Sequence, residues 1–190
     1  MPQKALTQPP GAQAGLRPAN ANPMRAIRLE KLTLNMGAGE SGPKLEKAKA
    51  VLKKIAGIEP VTTITRTRST FGVAKHRPIG AKVTLRGPAA DALLRRLLQA
   101  VESKLKPGQF DAQGNFSFGV AEYINIPGIK YDPELGILGL DVCVTLTRPG
   151  YRVQRRRLRP SRVGASHRIT PQEAREFVAA SYGVKVQEEK

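Results

Sequence analysis

Cysteine is almost absent from this chain of 190 residues: there is one, with two histidines and no tryptophan. A lone thiol excludes an intramolecular disulfide framework, and so few histidines leave no ligand set for a structural zinc cluster. Aromatics make up only 5% of the residues. No apolar run approaches the roughly 18 residues needed to cross a bilayer. Residues 1–23 contain no apolar block of the kind that marks a signal sequence. Acids are scarce as well, 15 against 32 lysines and arginines, for a formal net charge of +17. An imbalance of that size concerns partners rather than fold, and it points to a polyanion. The length suits one well-buried core with tails rather than two ordinary domains. The expectation is a soluble, intracellular, polyanion-binding protein with no membrane partner.

The excess charge is local. Between Val61 and Gly87 lie Arg66, Arg68, Lys75, Arg77, Lys82 and Arg86, with no acid among them. Between Arg148 and Arg168 come Arg148, Arg152, Arg155, Arg156, Arg157, Arg159, Arg162 and Arg168, again without an acid. Fourteen of the 32 basic residues fall in these two windows, so the rest of the chain is nearly balanced, 18 against 15. Runs of one sign repel themselves unless an anion covers them. The second run is all arginine, whose planar guanidinium binds phosphate through two bonds and stacks on bases, which suits RNA better than a lipid surface.

Residues 1–23, rich in Pro, Gly, Gln, Asn and Ala, bury too little to offset chain entropy and are expected to form a disordered tail. From Met24 the pattern alternates through Ile27, Leu29, Leu32, Leu34 and Met36, slipping phase near Lys31 as a bulged strand does. Pro43 opens a helix with Leu45, Ala48, Leu52 and Ile55 on one stripe, and Gly57 stops it. Val61–Thr67 and Ile79–Arg86 read as the arms of a long hairpin. Gly87-Pro88 opens a second helix carrying Leu93, Leu94, Leu97, Leu98, Val101 and Leu105 on its buried face. A strand from Phe116 to Ile126 follows, then one with Leu140, Val142, Val144 and Leu146 inward and Asp141, Cys143, Thr145 and Thr147 outward. The arginine run shows no stable periodicity. A last helix starts at Thr170-Pro171 with a capping box to Glu173, turns Ala174, Phe177 and Val178 inward, and stops at Gly183. Half-polar strands joined as hairpins predict an α+β fold, a mainly antiparallel sheet of about five strands with helices on one face and basic loop extensions. The predicted organisation is a single RNA-binding domain over 24–184, with a short tail at 185–190.

Two segments invite a chemical reading. Gly37-Ala38-Gly39-Glu40-Ser41-Gly42 fits the G-x-G-x-x-G pattern of dinucleotide sites, follows a strand, opens a helix, and has Glu59 at about the distance of a ribose partner. Against it, Glu59 precedes the next strand instead of ending it, that strand reads as half of a hairpin, and no second mononucleotide half follows. Free amides at a helix start can still attract any phosphate, an RNA backbone included. The stretch from Thr67 to Pro78 spans 12 residues, well beyond the usual ~2–5 of a hairpin loop, and such loops are usually functional or mobile. It interleaves Phe71 with Arg68, Lys75, His76 and Arg77, a mixture suited to backbone contact and stacking on a base. Phe71 serves either as that stacking group or as a packing anchor. His76 has no carboxylate in its segment to orient it and reads as a neutral contact rather than a catalytic group. Cys143 is expected to be a small packed residue. No catalytic group, metal site or cofactor is predicted.

The residues also resemble a known family. Thr33–Ser41, Pro78–Gly87, Gly114–Val120, and Ile129–Pro133 with Gly139–Asp141 are similar to the large-ribosomal-subunit protein five family, the 5S-rRNA binders. The likeness runs in order from about Met24 to Val184, and Gly164–Thr170 before a helix resembles the archaeal and eukaryotic branch. Bacterial members resemble the chain only up to the Arg148 region and carry an extra N-terminal helix. The resemblance implies a structural protein of the central protuberance, in the cytoplasm on the large ribosomal subunit. Implied partners are 5S rRNA, large-subunit rRNA, P-site tRNA, a small-subunit head protein and neighbouring proteins of the protuberance. Asn35 and Thr84 match positions the family uses on 5S rRNA, and Arg66 and Lys82 are assigned to the same surface. A family Gln beyond the first helix is Ile58 here. Arg68, Phe71, Lys75, His76 and Arg77 match the tRNA-facing loop, and Arg155, Arg156, Arg157, Arg159 and Arg162 are assigned to rRNA. Two other readings remain open from the residues themselves, an NADP-type oxidoreductase and a free-standing RNA chaperone.

Overall fold

The alternating run after Met24 becomes β1, Arg28–Gly37, in a computed structural model that describes residues 22–68 and 72–186. Leu32, Leu34 and Met36 point inward and are buried. The phase slip is a bulge: β1 pairs with a later strand at Leu29 and again at Lys31, leaving Glu30 as the extra residue. Most of the expected N-terminal tail lies outside the described residues; Pro23–Arg25 form a single tight turn capped by the Asn22 side chain.

Helix α1, Pro43–Ala56, buries Leu45, Ala48, Val51, Leu52 and Ile55, and Gly57 closes it at φ 68°, where a Cβ would be strained. β2, Val61–Ile64, and β3, Pro78–Leu85, form the hairpin. Helix α2, Pro88–Ala100, carries Ala90, Leu93, Leu94, Leu97 and Leu98 inward; burying each leucine contributes roughly 1.5–3 kcal/mol. Next come the two-residue β4, Lys104–Leu105, then β5, Phe116–Val120, and β6, Leu140–Thr147. One turn of helix, α3 (Arg152–Arg155), opens the arginine-rich arm. Helix α4, Pro171–Tyr182, starts on the expected capping box between Thr170 and Glu173 and ends at Gly183. β7, Lys185–Val186, closes the described chain.

The main sheet has the order β2-β3-β1-β6-β5, and every neighbouring pair in it is antiparallel. Its inner face (Leu32, Leu34 and Met36 with Ala81, Val83, Leu85, Phe116, Phe118, Val142 and Val144) shares one core with the leucines of α1 and α2. The α+β class and five-strand sheet agree with the sequence reading.

Four boundaries differ from it. β2 stops at Ile64 rather than Thr67, because the register shifts between Thr63 and Ile64 and the Thr65 side chain takes over the next bonds. α2 stops at Ala100: Glu102 and Ser103 both take φ 54°, and the Ser103 amide turns back to the Leu98 carbonyl at 2.8 Å. Leu105 nevertheless reaches the core, from β4, which explains why the apolar spacing outlasts the helix. The strand from Phe116 ends at Val120, and Tyr123–Asn125 form a tight turn. Lys185 and Val186, read as tail, pair in parallel with Lys104 and Leu105.

Candidate nucleic-acid interface

Among the described residues, the outer face of the sheet carries no helix, and the strand register places its side chains in rows. Val61, Lys82, Asn35, Asp141 and Gly119 lie side by side across all five strands, and Thr84, Thr33, Cys143 and Ser117 form the next row. Asn35 and Lys82 are direct cross-strand partners, with Thr84 on the diagonal, a separation of about 7–8 Å. Period-2 alternation makes this face: β1, β3, β5 and β6 spend their apolar positions on the core and leave polar groups or glycine outside, while the edge strand β2 exposes Val61 and Ile64. One carboxylate, Asp141, and one ammonium, Lys82, offset each other in the first row, so the middle of the face is nearly neutral.

Gly80 is a close-approach site beside this surface. A Cβ there would stand 2.8 Å from Thr63 Oγ1 and 2.9 Å from the Met36 carbonyl oxygen. Glycine is what lets Thr63 and the Met36 carbonyl approach this closely.

The loop of the first cationic window and the arginine arm emerge at opposite ends of β1, while Arg86 lies at the arm end, 3.9 Å from Glu30. Gly37, the last residue of β1, pairs with Gly80, so the β2–β3 loop leaves at that end. Arg28, the first, pairs with Thr147, after which the arginine arm begins. Ten residues of strand separate the two ends, about 30 Å at the usual rise.

At the loop end, Thr65 is the staple. Its amide donates to the Arg77 carbonyl at 2.9 Å, and its carbonyl accepts the His76 amide at 3.0 Å. Its hydroxyl donates to the Ala74 carbonyl at 2.8 Å and accepts the Arg77 amide at 2.9 Å. The staple fixes the neck, and His76, at φ 62°, turns the chain into it. Arg68, Lys75, His76 and Arg77 are all exposed beyond or at that neck. Arg66 joins them: it sits just past Thr65, away from the Asn35–Lys82–Thr84 group to which the sequence reading assigns it. Phe71 lies outside the described residues.

At the other end, the arginines divide into three kinds. Arg148 is 5% exposed and points inward. Its guanidinium donates to the carbonyls of Arg25 (3.1 Å), His167 (3.3 Å) and Arg168 (3.1 Å) and to Glu173 Oε1 (2.8 Å). It ties the end of β6 to the N-terminal turn, the far end of the arm and the start of α4, and it cannot neutralise RNA. The Glu173 carboxyl is held below its ordinary range, first by the Thr170 amide and then by Arg148. Arg155 forms a two-pronged pair with Glu30, one prong at 2.6 Å. The Arg155 bond also lowers the Glu30 pKa, against a smaller upward push from burial. The bulge in β1 is what aims Glu30 at the arm. Arg156 closes the arm's tip through Nε to the Arg159 carbonyl at 2.8 Å, and Arg159 takes φ 48° there. Arg157, Arg159 and Arg162 are exposed, around a Leu158 that is 80% exposed.

The remaining motifs resolve on geometry. In the G-x-G-x-x-G stretch the Ala38 and Gly39 amides both donate to the Ile79 carbonyl, at 2.8 and 3.2 Å, so they cannot cradle a pyrophosphate. β1 is flanked by antiparallel strands on both sides and Glu59 pairs with Lys53 at 2.7 Å, which removes the dinucleotide reading. Cys143 is exposed on the open face instead of packed in the core, because it occupies an outward position of β6. Burial against its neighbours, and then Asp141, raises its thiol pKa. Ile58 is half-exposed between Gly57 and β2. Sequence reasoning missed Glu30, Thr65 and the inward role of Arg148; only the bulge near Lys31 signalled any of them.

Fold and surface together define a class: an α+β structural protein that presents a polar sheet between two cationic extensions, in the manner of an RNA-binding scaffold rather than an enzyme. The family described as "Ribosomal protein L5" matches residues 22–73, and the model of the C-terminus of that same ribosomal family matches residues 78–179. The large ribosomal subunit protein uL5 of Cenarchaeum symbiosum is 53% identical over 167 residues, covering 87% of this chain and 99% of that protein. Those of Sulfurisphaera tokodaii and Nanoarchaeum equitans are 49% and 50% identical, over 88% and 87% of the chain and 96% and 98% of their own lengths. The chain belongs to the uL5 family of large-ribosomal-subunit proteins. It is a structural, non-enzymatic constituent of the ribosome in the cytoplasm.

Proposed function

We propose that the protein holds 5S rRNA on its open sheet face within the central protuberance, and clamps the surrounding large-subunit rRNA with its arginine arm. The observation that carries this reading is the juxtaposition of Asn35, Lys82 and Thr84 on an uncovered face between two cationic extensions, nearer the loop than the arm. A nearly neutral face bearing amide and hydroxyl groups suits riboses and the edges of an RNA groove, where a 2′-hydroxyl can both donate and accept. Asp141 beside Asn35 disfavours phosphate at that point and suits a donor such as a ribose hydroxyl. The stapled loop with Arg68, Lys75, His76 and Arg77 supplies the contact to P-site tRNA, and the assembled protuberance provides the bridge to the small-subunit head.

The test is a titration of the full chain with 5S rRNA and with an unrelated folded RNA of equal length. With six or more phosphate contacts, affinity for 5S rRNA should fall by roughly a thousandfold between about 50 and 200 mM salt. A flat salt response, or equal affinity for both RNAs, rejects the reading; the second result is what a general RNA chaperone would give.

A further inference from the structure

Between the arm and the end of the sheet lies a cleft of about 520 Å³, lined in part by Gln113, Asn115, Gln154, Arg155, Arg162 and Arg168. We infer that this cleft receives a single unpaired nucleotide of an RNA, with the flat face of Arg155 as the platform on which the base stacks. The inference rests on the RNA-binding reading above and adds to it a site that recognises local strand structure.

Three observations carry it. First, both terminal nitrogens of Arg155 are engaged by Glu30, so its hydrogen-bonding edge is already spent. A guanidinium held in that way is a weaker phosphate clamp, because its charge is compensated and two of its five donors are turned to Glu30. What it still offers is a planar face, fixed in orientation by a carboxylate that is itself 9% exposed. The Arg155 side chain is 55% exposed and borders the cleft, so a base can reach that face. Arginine planes are established stacking partners for unpaired bases.

Second, the walls carry side-chain amides, which present a donor and an acceptor to the edge of a base. One of them is oriented in advance: Asn115 Oδ1 accepts the Leu146 amide at 3.2 Å, which leaves its NH₂ donors for a ligand. Third, the free charge sits on the rim. Arg168 spends only Nε, on the Val163 carbonyl at 3.2 Å, and keeps its terminal nitrogens, while Arg162 is exposed. Stacking face, amide wall and cationic rim match base, base edge and phosphate in turn. A paired base cannot present these together, because its edge is occupied and both its faces are stacked within the duplex.

The experiment compares two RNA duplexes of equal length, one fully paired and one carrying a single bulged 2-aminopurine, each titrated with the full chain beside a parallel titration with 5S rRNA. The bulged duplex should bind at least about fivefold more tightly, the lower end of what a stacked base contributes, and its fluorescence should be quenched on binding. Arg155→Lys keeps a cation for Glu30 but removes the plane; it should abolish both the preference and the quenching while leaving the salt slope unchanged. Gln154→Ala leaves the Glu30–Arg155 pair intact and should reduce the preference. Arg157→Gln, at the tip outside the cleft, should weaken both duplexes alike. Equal affinity for the two duplexes, or a preference that survives Arg155→Lys, overturns the inference while 5S rRNA binding stands. Loss of 5S rRNA binding as well overturns the proposed function with it.

Discussion

Asn35, on β1, and Arg148, just past the end of β6, both carry polar side chains, yet their surroundings assign them opposite work. Asn35 stands on the uncovered face, where its amide makes no contact on which the fold depends. Asn35→Ala should therefore weaken 5S rRNA binding by about 1 kcal/mol or more while leaving the melting temperature in place; unchanged affinity with an intact fold would remove Asn35 from the interface. Arg148 is buried with four acceptors around it, three of them backbone carbonyls from separate segments of the chain. Arg148→Ala should destabilise the protein by about 2–4 kcal/mol in urea denaturation, the cost of removing the one buried donor that joins these four acceptors. Gly80→Ala belongs with Arg148 rather than with Asn35. Its Cβ would meet Thr63 Oγ1 and the Met36 carbonyl oxygen within 3 Å, and Thr63→Ala relieves only the first of those, so the double variant should recover only part of a loss of about 1–3 kcal/mol.

The elements differ in how readily they show in the sequence. Strands buried on one face announce themselves by alternation, and both the inward set of β6 and the bulge of β1 can be read from that alone. Helix ends are equally plain at Gly57, Gly183 and the Thr170–Glu173 box, where one residue type performs a local task. What alternation cannot supply is the target of a side chain. Glu30 meets Arg155 across 125 positions of sequence, and a run of arginines looks the same whether a member faces solvent, a carboxylate or the core. The end of α2 eludes the periodicity for a related reason: Leu105 keeps helical spacing but enters the core from a strand. The hairpin loop shows the same limit, since its length marks it as functional while its staple, Thr65, reads in the sequence as an ordinary strand residue and lies just beyond β2 in the structure. Thr65→Val keeps the β-branched shape and deletes the hydroxyl that holds Ala74 and Arg77. It should raise amide exchange between Val73 and Arg77 while barely changing 5S rRNA affinity. Replacing Lys75, His76 and Arg77 together should likewise spare 5S rRNA binding and disturb tRNA placement on assembled ribosomes. A collapse of 5S rRNA affinity in either variant would put the loop at the wrong site.

At the scale of the whole molecule, charge does two separate jobs. Exposed cations at the two ends of β1 face outward to a polyanion, while a smaller set of ion pairs fastens the arm to the body. The second job makes stability depend on pH in a definite direction. Glu30 and Glu173 both titrate below their ordinary value of 4.5. Folding therefore gains from their ionised forms at every pH above that value, and the gain is lost as pH falls through their lowered pKa values. Tyr182 acts at the other limit. Burial, and then its hydrogen bond to Asp91, raises its pKa above the ordinary 10, so its contribution is complete below that value and lost as pH rises beyond it. Between these limits the three groups leave stability flat. Thermal melts at pH 7, 5 and 3 should show little change over the first step and a marked drop over the second. Glu30→Gln and Glu173→Gln should each lower stability at pH 7 by about 0.5–1.5 kcal/mol, a range already reduced for solvent screening at these partly exposed pairs. Because each variant lacks a carboxylate left to protonate, its further loss between pH 5 and 3 should be smaller than that of the parent chain. If the variants instead melt lower by a constant amount at all three pH values, the acid transition belongs to other carboxylates and the arm is not held by these two.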